Sequence, residues 1–185
     1  MNETKKVLSV RDMVFTALFA AVLCAAAPFT IAIGPVPLSF ATLVIYLAAG
    51  ALGARCGTLA VLLYVALGAV GLPVFSGFEG GFHKIAGLSG GFIIGYIPCA
   101  FATGIIADVF RGKIWPYALG MVIGTFLLYT CGTAWFMFQT GSELAVSLAL
   151  CVTPFLIGDA LKIIISCVAA PKLRSALREF RMEKP

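Results

Sequence analysis

Asp159 and Lys162 lie three positions apart in an otherwise apolar stretch, PFLIGDALKIII (Pro154 to Ile165). On a helix, positions i and i+3 share a face, so the two side chains can pair with each other or flank one ligand. Inside a membrane each charge costs about 2.5–3.5 kcal/mol at mid-bilayer, so ionisable residues there mark functional sites by default. An ion pair that only neutralises itself is weakly stabilising at best. A ligand with both donors and acceptors uses the pair better, because a carboxylate takes N–H groups and an ammonium gives to an oxygen. A self-satisfied structural pair is the competing reading.

Three further groups could contribute. GLPVFSGFEGGFHKIAGLSGGF (Gly71 to Phe92) gathers Phe75, Phe78, Phe82, Glu79, His83, Lys84 and Ser89 among glycines. At roughly 20 residues it is longer than a simple turn and reads as a lid or binding loop, against the alternative of a flexible external loop. Glycine allows the backbone angles a lid needs, and aromatic rings would cover an apolar ligand body. Gly90 and Gly91 fall at an expected helix start, where free N–H groups can receive an oxygen. In GPVPLSFAT (Gly34 to Thr42), Pro35 and Pro37 stiffen a turn, and Ser39 and Thr42 offer hydroxyls at the mouth of the next helix. In the first apolar run, Ala17, Ala21 and Ala25 recur every fourth residue and form one smooth stripe. Such a stripe lets another helix approach closely, either within a bundle or from a partner.

The elements that must position these groups follow from composition. The chain has 185 residues, 61% hydrophobic and 11% charged, about half the charged fraction of a soluble domain. Apolar runs span about Met13–Ile33, Leu38–Gly53, Thr58–Gly71, Phe92–Val109, Ile114–Phe138 and Leu144–Ala170, the last stopped by Pro171. The second and third are short for a span and imply tilt or burial by neighbours. With no A-x-A-like cleavage site after the basic start, the first run reads as a retained helix. The expected fold is an all-α membrane protein: one domain over residues 1–185, a bundle of six transmembrane helices. Residues 1–12 form one flank and 172–185 a basic tail.

Charge placement sets the orientation. Lys5, Lys6, Arg11, Arg55, Arg111, Lys113, Lys172, Arg174, Arg178, Arg181 and Lys184 all fall in alternate breaks or ends, and only Lys84 falls in the other set. The positive-inside rule then makes both termini cytoplasmic. It also explains the net charge of +5 without nucleic acid. The six cysteines are scattered singly through apolar runs and read as small buried side chains. RGKI (Arg111 to Ile114) lacks the Walker A pattern, and no H-E-x-x-H, G-x-S-x-G or metal cluster occurs, so neither a catalytic role nor a metal is expected.

Three segments carry a resemblance: Pro35 to Phe75, GLSGGFIIGY (Gly87 to Tyr96) and PFLIGDALK (Pro154 to Lys162). In order and spacing they resemble the BioY family, the biotin-specific substrate-binding membrane subunits (S components) of energy-coupling factor (ECF) transporters. The resemblance implies a six-helix bundle that binds biotin toward the outer face of the cell membrane, by expectation a bacterial plasma membrane. It also implies a transmembrane T component and two ATPase subunits as partners, with ATP used only by the latter and no cofactor in this chain. The alanine stripe resembles the A-x-x-x-A face by which S components dock on the T component.

On that basis Asp159 would accept a ureido N–H of biotin, and Lys162 would donate to the carbonyl or a neighbouring oxygen. The lid carrying Phe75, Phe78, Glu79 and Lys84 would cover the ring, with Ser89, Gly91, Tyr96, Ser39 and Thr42 as polar contacts. The alternatives are an S component for another vitamin, a stand-alone ion-coupled secondary transporter with Asp159 as its proton site, and a structural subunit without ligand.

Overall fold

The computed structural model describes residues 8–31, 36–110 and 114–182. Lys5, Lys6, Pro35, Arg111, Lys113 and Lys184 of the sequence reading lie outside them. The first helix, α1 (Val10–Ala26), opens with the Asp12 carboxylate accepting the Ser9 N–H. The expected tight turn that follows is a two-stranded hairpin, β1 (Thr30–Ile31) against β2 (Leu38–Ser39). The Ser39 hydroxyl fastens it, donating to the Ala27 carbonyl at 2.8 Å and accepting the Ala41 N–H at 3.0 Å.

Helix α2 (Ala41–Val70) covers the second and third expected runs, and its break is a single residue, Gly53, at φ 85° and ψ −178°. Only glycine takes such angles readily. The arms 41–52 and 54–70 fold back on each other there: a Cβ placed on Gly57 would lie 2.6 Å from the Ala49 Cα. Residues eight apart in a straight helix are about 12 Å apart. The long break holds a bridge between Phe75 and Glu79 and a short helix, α3 (Phe82–Ala86). Helices α4 (Gly90–Val109) and α5 (Ile114–Thr140) then pack closely, because Gly95 and Gly124 leave room for the facing chain.

The last expected run is corrected at both of its features. It is interrupted early, between α6 (Leu144–Cys151) and α7 (Leu156–Met182), by a 3-10 turn at Thr153–Phe155 that contains Pro154. Pro171 does not stop it, since α7 continues to Met182. A proline inside a helix lacks one N–H, but the tertiary packing compensates. Leu173 and Leu177 carry the buried face of α7 onto Phe19, Ala20 and Ala48, so the basic tail is a docked helix.

By length and hydropathy four segments among the described residues could cross a membrane: 41–70, 90–109, 114–140 and 144–180. The fold-back at Gly53 divides the first. Large apolar side chains such as Val22, Phe101, Phe126, Phe138 and Ile164 are exposed on the outside of the bundle, as a lipid-facing surface requires. All six cysteines are free thiols, buried or half-buried. Arg11 donates to the Phe180 carbonyl at 2.9 Å, so the start of α1 and the end of α7 lie at the same end of the bundle. Arg55, beside the Gly53 turn, and Arg174, tied to the Ala107 carbonyl at the end of α4, share that end.

Candidate ligand-binding pocket

At the opposite end, the hairpin and the starts of α2, α4 and α7 surround a pocket, with Leu128 and Tyr129 of α5 as its floor. Its empty space, mouth included, is about 470 Å³, within the range of small-molecule sites. Val36, Leu38, Phe92, Ile93, Leu128 and Phe155 make apolar walls, while Ser76, Ser89 and Tyr96 add hydroxyls.

Its polar core is closed and almost dry. Asp159 and Lys162 are 4% and 7% exposed. Lys162 Nζ donates to Asp159 Oδ1 at 2.9 Å, to Thr42 Oγ1 at 2.9 Å and to the Ser39 carbonyl at 2.8 Å. An ammonium has three N–H groups, so these partners saturate it. Thr42 Oγ1 donates in turn to Asp159 Oδ1 at 3.2 Å, and the Tyr129 hydroxyl donates to Asp159 Oδ2 at 2.6 Å. The i,i+3 spacing on α7 brings the two charges together, and the Ser39–Ala27 bond holds the hairpin carbonyl against Lys162. Full pairing is what makes two buried charges tolerable. A carboxylate offers about four acceptor sites, so Oδ2 keeps one for a ligand.

Of the residues expected from sequence, Ser39, Thr42, Ser89, Tyr96, Asp159 and Lys162 line this pocket. The others sit elsewhere. Phe75 is fully buried against Tyr64, ring centroids 5.5 Å apart, as part of the apolar core. Phe78 is exposed and packs edge-on against Phe29. Glu79 and Lys84 form an ion pair at 2.8 Å, and Phe82 points out. Gly91 lies in the first turn of α4, where a side chain would strike Trp135 and Cys131, so it serves helix packing. Ser76 is the loop residue that reaches the pocket. Sequence reasoning missed Tyr129 together with Phe92, Ile93, Leu128 and Phe155. The one available signal was a phenol in the middle of an apolar helix, which needs a partner for its hydroxyl.

Ala17, Ala21 and Ala25 are all exposed, on the outer face of α1 opposite the buried Thr16, Phe19, Ala20 and Leu23. Packing inside this bundle is therefore not their role.

Fold and site define a multi-pass helical membrane protein with a pocket of small-molecule size built around a buried polar core. The chain belongs to the BioY family, whose sequence profile matches residues 1–179. It is 33% identical over 164 residues to a "Biotin transporter BioY" of Thermotoga maritima, covering 89% of this chain and 96% of that protein. It is 34% identical over 167 residues to a "Probable biotin transporter BioY" of Pyrococcus horikoshii, covering 90% and 98%. Its fold matches the crystal structure of "the S-component for biotin from an ECF-type ABC transporter" with a TM-score of 0.71 at 24% identity, covering 100% of this chain and 96% of that one.

Proposed function

We propose that this chain is the biotin-binding membrane subunit of an ECF-type vitamin uptake transporter, a binding protein and not an enzyme. Membership of the BioY family over nearly the whole chain carries the reading. The chemistry of the pocket supports it. Biotin has an apolar thiophane ring, a ureido group with two N–H donors and a carbonyl, and a carboxylated tail. Asp159 Oδ2 has room for a ureido N–H, Phe92, Ile93, Leu128 and Phe155 suit the ring, and Ser76, Ser89 and Tyr96 suit the polar tail or its waters. Lys162 holds the Asp159 carboxylate in place through Oδ1.

In this proposal the bundle has six spans, with α1, the two arms of α2, α4, α5 and α7 crossing the plasma membrane of a bacterium. Both termini are cytoplasmic. Support comes from the cations: among the described residues Arg55 and Arg174 lie at the end away from the pocket, and α1 and α7 meet there through Arg11 and Phe180. The pocket then opens outward. Transport energy comes from a transmembrane T component and two ATPase subunits, the only users of ATP, and this chain carries no cofactor of its own. The exposed Ala17, Ala21 and Ala25 are the proposed docking stripe for the T component.

Isothermal titration and thermal shift of the detergent-purified chain with biotin test the reading. A saturable heat and a rise in Tm are expected, because a ligand of the folded state stabilises it. A monodisperse chain that shows neither would overturn it.

A further inference from the structure

Four of the five donated hydrogens in the polar core are committed. Asp159 Oδ1 takes two of them, filling both of its lone pairs, and turning Lys162 from Thr42 Oγ1 or from the Ser39 carbonyl would take away the donor each has there. Lys162 serves Asp159 Oδ1, Thr42 Oγ1 and the Ser39 carbonyl, and the Thr42 hydroxyl serves Asp159 Oδ1. Stranding any of these acceptors incurs its full desolvation penalty. The Tyr129 hydroxyl differs. Its only acceptor is Asp159 Oδ2, and that oxygen is the one a ligand N–H would approach. If a ligand N–H takes Oδ2, the Tyr129 hydrogen is released without stranding anything.

The spacing sharpens this. The Tyr129 oxygen and Asp159 Oδ2 are 2.6 Å apart. Standard bond lengths put the N and O of a cis amide edge about 2.3 Å apart. A phenol beside a carboxylate oxygen therefore presents a donor and an acceptor at the separation of an acceptor and a donor on one amide edge.

We propose that Tyr129 is a specificity-determining residue that reads, together with Asp159 Oδ2, a cis N–H/C=O edge of the ligand. The ligand N–H donates to Oδ2, and the Tyr129 hydroxyl turns from Oδ2 to the ligand carbonyl. The hydroxyl hydrogen turns, and the two oxygens, no longer bridged by it, ease apart by a few tenths of an ångström. One internal hydrogen bond is replaced by two, while Lys162, Thr42 and the hairpin stay as they are. The inference rests on the biotin reading, in which this edge belongs to the ureido group, and it assigns the carbonyl to Tyr129 where the sequence alone suggested Lys162.

The test titrates the full-length purified chain with biotin and with its thiocarbonyl analogue, which keeps both N–H groups but has a weaker acceptor. The wild type is expected to prefer biotin by about tenfold, the worth of one good hydrogen bond. Tyr129→Phe, which keeps the ring, is expected to lose about tenfold for biotin and little for the analogue, so that the preference falls to within about twofold. Tyr129→Leu is carried in parallel and is expected to show the same collapse. Equal losses for both ligands would mark a merely structural role and overturn the inference, as would a wild type without preference. A wild type that binds neither ligand overturns the biotin reading itself, and this inference with it.

Discussion

Asp108 and Arg174 stand at the two ends of a hydrogen bond that α2 does not make. In a continuous helix the Ala54 N–H would meet the Gly50 carbonyl. At the Gly53 break the N–H donates instead to Asp108 Oδ2 at 2.9 Å, and the Gly50 carbonyl accepts from Arg174 at 3.3 Å. Asp108 and Arg174 are themselves an ion pair, and Arg174 also reaches the Ala107 carbonyl at 2.8 Å. One salt bridge is thus inserted into an interrupted helical bond, and it ties both arms of α2 to α4 and α7.

Removing either partner exposes the interruption. Arg174→Met removes the donor to the Gly50 carbonyl and the counter-charge of Asp108, and Asp108→Ala removes the acceptor of the Ala54 N–H and the counter-charge of Arg174. Each is expected to destabilise by about 1–3 kcal/mol, less than a fully buried pair because both side chains are partly exposed. The double variant should cost clearly less than the sum. Melting temperatures of the four proteins in one detergent check this, and strict additivity would refute the coupling.

Gly53→Ala combines two faults. The backbone sits at φ 85°, and the new Cβ would lie 2.5 Å from Asp108 Oδ1. Left-handed strain alone is of order 1–3 kcal/mol, and the clash also displaces the carboxylate from Ala54. A Tm at least as low as that of Asp108→Ala is expected, with biotin affinity spared in whatever fraction stays folded, since the pocket is at the other end. A wild-type Tm would show that the turn tolerates a side chain.

The polar core of the pocket makes an asymmetric prediction. Lys162→Met strands the Asp159 carboxylate in a nearly dry site and should cost about 3–5 kcal/mol. Asp159→Asn in the same chain removes the stranded charge and should recover part of that loss. Biotin binding should not recover, because the ionised acceptor is gone. If Lys162→Met alone melts like the wild type, the pair is not the buried network that its hydrogen bonds describe.

For the long loop the expectation is that most of its side chains do not touch ligand. Phe78→Ala and Lys84→Ala should leave biotin affinity within about threefold: Phe78 packs on Phe29 outside the pocket, and an exposed pair such as Lys84–Glu79 is worth about 0–1 kcal/mol. Phe75→Ala should instead cost about 3–5 kcal/mol of stability, as a fully buried aromatic does. A large, selective loss of biotin affinity in Phe78→Ala would mean that the loop closes over the ligand.

These loop residues show where the sequence stopped being legible. Most helical runs were readable because hydropathy is summed over many residues, and the Asp159–Lys162 pair because a charge in an apolar run is costly. Phe75 and Phe78, three apart in one Gly-rich loop, were not separable: one fills the core and the other faces out, and only the turn at Gly77 decides which. Tyr129 showed only as a phenol in an apolar helix, since its partner is 30 residues away on another helix. Gly53 closed the second expected run, but composition could not say that this one residue makes the turn. Pro171 misled because a proline ends an isolated helix, whereas here Leu173 and Leu177 continue a buried face that holds α7 together.

In the proposed docking, the alanine stripe of α1 serves transport and not binding. Ala17, Ala21 and Ala25 are exposed, so a larger side chain there points away from the described bundle. Ala21→Leu is expected to leave the Tm and biotin affinity of the isolated chain within error of the wild type. Close helix approach depends on small residues at the seam, so the same substitution should abolish co-purification with a T component and ATP-dependent biotin uptake into cells or proteoliposomes. Ala20→Leu, one position away but buried beside Phe19 and Ala48, should do the reverse and lower the Tm of the isolated chain. If Ala21→Leu supports uptake at the wild-type rate, α1 docks by another face or not at all.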